Sequence, residues 1–99
     1  MPYSIIQTRR FARSYKKLNE NTAKDLDDAV IKISEKPLLG EKKKGDLVNL
    51  RVYKFRSKNQ IYLLGYSIDE GLRLLYLEAV GAHENFYRDI KKINTPIFI

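Results

Sequence analysis

The chain has 99 residues with 19 Lys+Arg against 12 Asp+Glu, a single histidine and no cysteine or tryptophan, giving a formal net charge of +7. One hydrophobic core is what this length supports, and a 43% hydrophobic, 31% charged composition is far from the signature of disorder, so a single domain over residues 1–99 is expected. Without cysteine there is no disulfide framework, thiolate nucleophile or Cys-ligated zinc, and one histidine excludes a two-histidine metal site, so any catalysis is expected to be metal-free or carboxylate-based and to need no cofactor. No apolar run of membrane-spanning length and no secretory leader pattern is present, which makes the cytoplasm the expected location, with no membrane partner.

In chain order, Tyr3 to Gln7 is a short apolar run suited to a strand. Phe11, Tyr15 and Leu18 then fall at i, i+4, i+7 on one face of a helix whose other face carries Arg9, Arg10, Arg13, Lys16 and Lys17. Asn19 to Asn21 interrupts the pattern, and Thr22 with Asp25 three residues on predicts the start of a second helix, continued by Leu26, Ala29, Val30 and Ile33. Pro37 stops it, because the residue before a proline is pushed out of the helical region. Leu38 to Asp46 reads as a loop containing the run Glu41-Lys42-Lys43-Lys44.

From Leu47 the periodicity becomes that of strands: Leu47 to Arg56, Gln60 to Ile68 and Leu72 to Val80. Ser57-Lys58-Asn59 and Asp69-Glu70-Gly71 are short enough to be hairpin turns, with Gly71 expected to supply a positive φ. Phe86, Ile90 and Ile93 mark a short third helix, Pro96 ends it, and Ile97-Phe98-Ile99 follows as an apolar tip suited either to a partner or to the chain's own core. The order β-α-α-β-β-β-α predicts an α+β fold, an antiparallel sheet with two helices on one face and a short C-terminal helix.

Basic charge is concentrated in two blocks. Residues 1–18 carry five basic groups and no acid, and residues 37–58 carry seven against two acids, so both are candidate surfaces for a polyanion. His83 is the leading candidate for proton transfer, since histidine is the side chain whose unperturbed pKa, roughly 6.5, suits it near neutrality. It lies where the last strand gives way to a helix, with Tyr87 one helical turn on. Lys54 and Arg56 share a strand face and suit a phosphate, while Arg51 projects from the opposite face unless a bulge intervenes. Tyr53, Phe55, Tyr62, Tyr66 and Tyr76 suit either base stacking or the core, mostly the latter. Lys42, Lys43 and Lys44 read as a solvated run that strengthens salt-dependent attraction to phosphates. The carboxylate pairs Asp27-Asp28 and Asp69-Glu70 lack the separation that acid/base work needs. These residues fit RNA cleavage, and equally RNA or DNA binding without chemistry.

The element order, the strands Leu50-Arg51-Val52-Tyr53-Lys54-Phe55-Arg56 and Ile61-Tyr62-Leu63-Leu64-Gly65-Tyr66, and the ending Gly81-Ala82-His83-Glu84-Asn85-Phe86-Tyr87-Arg88-Asp89 together resemble the RelE/ParE superfamily of bacterial toxins, over nearly the whole chain. The resemblance implies a toxin of a type II toxin–antitoxin module. The RelE branch are metal-free endoribonucleases that cut mRNA in the ribosomal A site, and the ParE branch inhibits DNA gyrase. The Gly-x-His followed by an aromatic residue is similar to the YafQ-like ribonucleases, which implies a proton-transfer role for His83 with Tyr87 orienting or stacking. Lys54 and Arg56 match basic strand positions around the scissile phosphate, and Arg51, Arg88 and the three loop lysines are expected to contact RNA. Val52 stands where RelE has a further lysine, and Gln60 or Tyr62 stands near its strand arginine. Either His83 supplies the missing acid or the protein does not cleave. The expected partners are mRNA on the ribosome and a cognate antitoxin, an acidic chain that folds on contact.

Overall fold

Short polar residues set the helix starts. The Thr8 hydroxyl accepts the Phe11 N–H at 3.1 Å and opens helix α1, Arg9–Lys16; the Asn19 side-chain oxygen accepts the Thr22 N–H at 2.9 Å and opens α2, Glu20–Glu35. The computed structural model describes residues 2–43 and 49–94, with side chains up to residue 88 in the last helix. The second helix thus begins ahead of the expected Thr22. Asn19 is the better cap, and Thr22 is fully buried inside the helix with its hydroxyl 3.0 Å from that of Ser57. Leu18 lies beyond α1 but still packs on the core. Pro37 ends α2 as expected and opens a 3₁₀ turn, Pro37–Leu39.

Strand β1, Ser4–Gln7, is followed after the helices by β2, Glu41–Lys42, then β3, Arg51–Ser57, β4, Gln60–Asp69, and β5, Leu74–Ala82. They form one sheet in the order β1-β5-β4-β3-β2. Pairing is antiparallel from β2 to β5, and β1 adds to β5 in parallel, the expected antiparallel sheet carrying one parallel edge. The segment read as a loop from Leu38 contains the 3₁₀ turn and β2. Leu47 and Val48, assigned to a strand, lie outside the described residues, as do Lys44 and Ile97-Phe98-Ile99. Ile90 and Ile93 belong to a helix whose side chains are described only before them.

Both hairpin turns correct the reading. Ser57 pairs with Gln60, so only Lys58 and Asn59 form the first turn, at φ 51° and 63°, the twist that joins two strands without splaying them. In the second, Asp69 pairs with Leu74 and the left-handed residue is Arg73, at φ 55°, not Gly71. Here the Asp69 carboxylate accepts the Leu72 N–H at 3.0 Å and sets the turn early, so the chain reverses only at Arg73.

Helices α1 and α2 cover one face through Phe11, Leu26, Ala29 and Ile33, packed on Leu64, Tyr66, Leu75 and Leu77. Tyr53 and Phe55 join that core, and Phe55 stacks on Tyr62 at 5.6 Å, so these aromatics pack as expected of the majority. Helix α3, His83–Asn94, packs on the opposite face, where Phe86 meets Leu50, Val52, Leu63 and Ala79. Gly65 permits this approach, since a Cβ there would stand 2.9 Å from the Phe86 ring.

Tyr66 ties the two sides of the α2–β2 connection together. Its fully buried hydroxyl accepts the Gly40 N–H at 2.8 Å and donates to the Pro37 carbonyl at 2.7 Å, and Arg51 donates to the Gly40 carbonyl at 2.8 Å. Tyr66→Phe leaves both backbone groups without that partner, an expected loss of about 1–3 kcal/mol in urea unfolding. Burial also pushes the Tyr66 phenol above its ordinary 10.0. A group whose pKa is raised by folding contributes stability that is complete below the unfolded value and is lost as pH rises through the folded one. Above pH 10.0 the wild-type protein should therefore lose more stability than Tyr66→Phe does.

Candidate functional site

Strand alternation and one bulge build the site. Along β3, Tyr53 and Phe55 turn toward α1 and α2, while Val52 turns toward α3; Lys54 and Arg56, exposed, share the face of Val52. On β5, Gly65 faces Ala79 and Tyr66 faces Leu77, leaving Glu78 as the extra residue of a bulge. The bulge reverses the parity of the strand: Leu75 and Leu77 pack under α1 and α2, but Ala79 packs under α3. A bulge re-aims the strand that follows it, and this one directs the end of β5 into His83. It is held by α1, whose Arg10 Nε donates to the Glu78 carbonyl at 3.1 Å, and by Ser67, whose hydroxyl donates to the Glu78 carboxylate at 2.7 Å.

His83 is the first residue of α3 and is exposed. It lines an open cleft of about 410 Å³ together with Lys54, Asn59, Gln60, Ile61, Ala82 and Glu84. Arg56 is the cross-strand partner of Ile61 and projects beside it from the same face. The structure thus brings His83, Lys54 and Arg56 to one surface. Tyr87, one turn along α3, is half-buried and meets Phe86 edge-on at 5.2 Å and 88°.

The remaining expected RNA contacts are dispersed. Arg51 lies on the opposite face, as alternation required, with its guanidinium on the Gly40 carbonyl at 2.8 Å. Lys42 pairs with Arg51 across β2 and β3 and lines a smaller hollow with it, of about 300 Å³. Arg88 donates to Asn85 Oδ1 at 3.0 Å on the exposed side of α3.

Lys43 is different, and the reading of it as part of a solvated run is corrected. Its backbone N–H donates to the Leu50 carbonyl at 2.9 Å, its ammonium bonds Glu41 Oε1 at 2.6 Å, and the same ammonium stands 5.4 Å above the centre of the Tyr87 ring. Glu41 pairs with Val52 and so shares the face of Lys54. Hydrogen bonding to Lys43, and then its charge, holds the Glu41 carboxyl below the usual carboxylate range, with Lys54 adding a smaller pull. The Glu41 bond, followed by the Tyr87 side chain, raises the Lys43 ammonium. No local signal in the sequence places Glu41 at the site, because only pairing with β3 gives a two-residue strand a face. Among the described residues, no three histidine or acidic side chains converge as a metal site would require, and no helix is long and apolar enough to cross a membrane.

Residues 5–91 match the family model of the ParE-like toxin of type II bacterial toxin–antitoxin systems. The chain belongs to this family. No curated protein matches it at a significant level. Among solved structures, the chain is similar to one from a RelBE toxin–antitoxin complex of Mycobacterium tuberculosis, at 20% identity and TM-score 0.75 over 84% of this chain and 100% of that one. It is similar also to a doubly substituted Escherichia coli RelE in the free state, at 18% identity and TM-score 0.75 over 98% of this chain and 100% of that one. The same RelE variant bound to an antitoxin RelB peptide gives 17% identity and TM-score 0.69 over 99% of this chain and 100% of that one. These likenesses establish the RelE-like fold for this toxin of a type II toxin–antitoxin module.

Proposed function

We propose that this toxin is an endoribonuclease that cleaves mRNA on the ribosome. The observation that carries the reading is the cleft in which His83 and Lys54 meet, with Arg56 on the same sheet face. A proton-transfer group beside two cations is what in-line attack by a ribose 2′-hydroxyl needs. The 2′-oxygen bonds the adjacent phosphorus as its proton passes to a base, the bond to the 5′-oxygen breaks, and that oxygen takes a proton from an acid. His83 carries one of these two transfers. Lys54 and Arg56 offset the charge that develops on the phosphorane. Tyr87 orients or stacks on the nucleotide, and Arg88 and Lys43 add contacts to the RNA. Arg51 and Lys42, paired across β2 and β3, reach RNA only from the far face. The cleft is open and shallow, so the ribosome supplies the substrate positioning.

A cognate acidic antitoxin neutralises the toxin in the cytoplasm. The solved complexes of similar toxins with their antitoxins support such a partner, and a net charge of +7 accelerates its association. Primer extension on mRNA from cells briefly expressing the toxin tests the reading. Discrete new 5′ ends at codon-related positions are expected, whereas intact mRNA with an SOS response would assign the toxin to gyrase instead.

A further inference from the structure

We propose that Lys43 is a further phosphate-binding cation of this site and that Glu41 is a built-in anion occupying it until RNA arrives. The inference rests on the ribonuclease reading, gives the RNA contact of Lys43 a phosphate as its ligand, and adds Glu41 to it. Four observations carry it. Glu41 shares the sheet face of Lys54 through its pairing with Val52. Its carboxylate takes the Lys43 ammonium at 2.6 Å. That ammonium stands over Tyr87 at 5.4 Å, the aromatic ring one helical turn from His83. And the segment is anchored, not loose: both backbone groups of Gly40 are bonded, by Tyr66 and Arg51, and the Lys43 N–H is bonded to Leu50.

The exposures of the two partners set the direction of exchange. The Glu41 side chain is 74% exposed and that of Lys43 only 25%, so the carboxylate can swing into water while the ammonium stays over the ring. A phosphate brings oxygen acceptors of the same kind as the carboxylate and more charge, so it replaces Glu41 on Lys43 without leaving either charge unsolvated. The cost of the exchange is the strength of one exposed ion pair, which corresponds to up to about a fivefold weakening of binding. Glu41 thereby lowers the affinity of the free toxin for RNA in general, and Lys43 holds the nucleotide against Tyr87.

The test uses an uncleavable fluorescent 2′-O-methyl RNA oligonucleotide, the purified full chain, and Asp28→Asn on the far side of α2 as a control for a change of one charge. Glu41→Gln is expected to tighten binding about two- to fivefold beyond Asp28→Asn. In a Lys43→Ala background the same Glu41→Gln change should give only the control effect. Lys43→Ala alone should make the negative slope of log K against log salt shallower by about 0.7, the value of one lost phosphate contact to a single strand, with Lys43→Arg restoring it. Glu41→Gln matching Asp28→Asn, or tightening binding equally without Lys43, overturns the proposal while leaving the ribonuclease reading intact. Failure of the wild-type protein both to bind this RNA and to cut ribosome-bound mRNA overturns the two together.

Discussion

His83→Gln is expected to lower kcat on ribosome-bound mRNA by about 10²–10⁴, the contribution typical of a positioned general acid or base, and to relieve growth arrest. The side chain is exposed at the first position of α3, outside both hydrophobic clusters, so its loss removes no apolar contact. A substitution of that kind changes stability by about 0.5 kcal/mol at most, and the melting temperature should stay at the wild-type value. Single-turnover rates together with a thermal melt separate a loss of chemistry from a loss of fold. A His83→Gln protein that cuts at the wild-type rate removes the role assigned to it.

Lys54→Ala and Arg56→Ala should each lower kcat by about 10²–10³ with KM little changed, as expected for groups that act on charge present only in the transition state. Lys42→Ala, on the far face with Arg51, should alter only the salt dependence of binding. Equal, purely affinity-type losses from all three would mean that a general basic surface, not a site, governs activity. Both strand cations are exposed, so circular dichroism of the variants should match the wild type.

Where one residue type at one spacing decides a structure, the sequence was a sufficient guide. Alternation along β3 separated Lys54 and Arg56 from Arg51, and the i, i+4 relation of His83 and Tyr87 survives in α3. Pro37 ended its helix for the reason stated. Features that depend on competition between neighbours were hidden. Asn19 outcompeted Thr22 as the cap of α2, and Asp69 closed its turn early enough to pass the left-handed position from Gly71 to Arg73. The bulge at Glu78 leaves no local trace, because its cause is long-range: Arg10 and Ser67 bond it from elsewhere in the chain. Lys43 was indistinguishable from Lys42 and Lys44 in a run of like charges. Only the pairing of β2 with β3 and the placement of α3 set it between Glu41 and Tyr87.

The chemistry assigned to the cleft is tested most directly by the ends of the cleaved RNA. Purified toxin added to ribosomes carrying a defined mRNA should produce an upstream fragment ending in a 2′,3′-cyclic phosphate and a downstream fragment with a 5′-hydroxyl, because the 2′-oxygen is the nucleophile and the 5′-oxygen the leaving group. Replacing the ribose at the cut site by 2′-deoxyribose should abolish cleavage, and His83→Gln should slow formation of both ends equally. A 5′-phosphate on the downstream fragment, undiminished cleavage of the 2′-deoxy substrate, or intact mRNA after prolonged incubation would contradict the account.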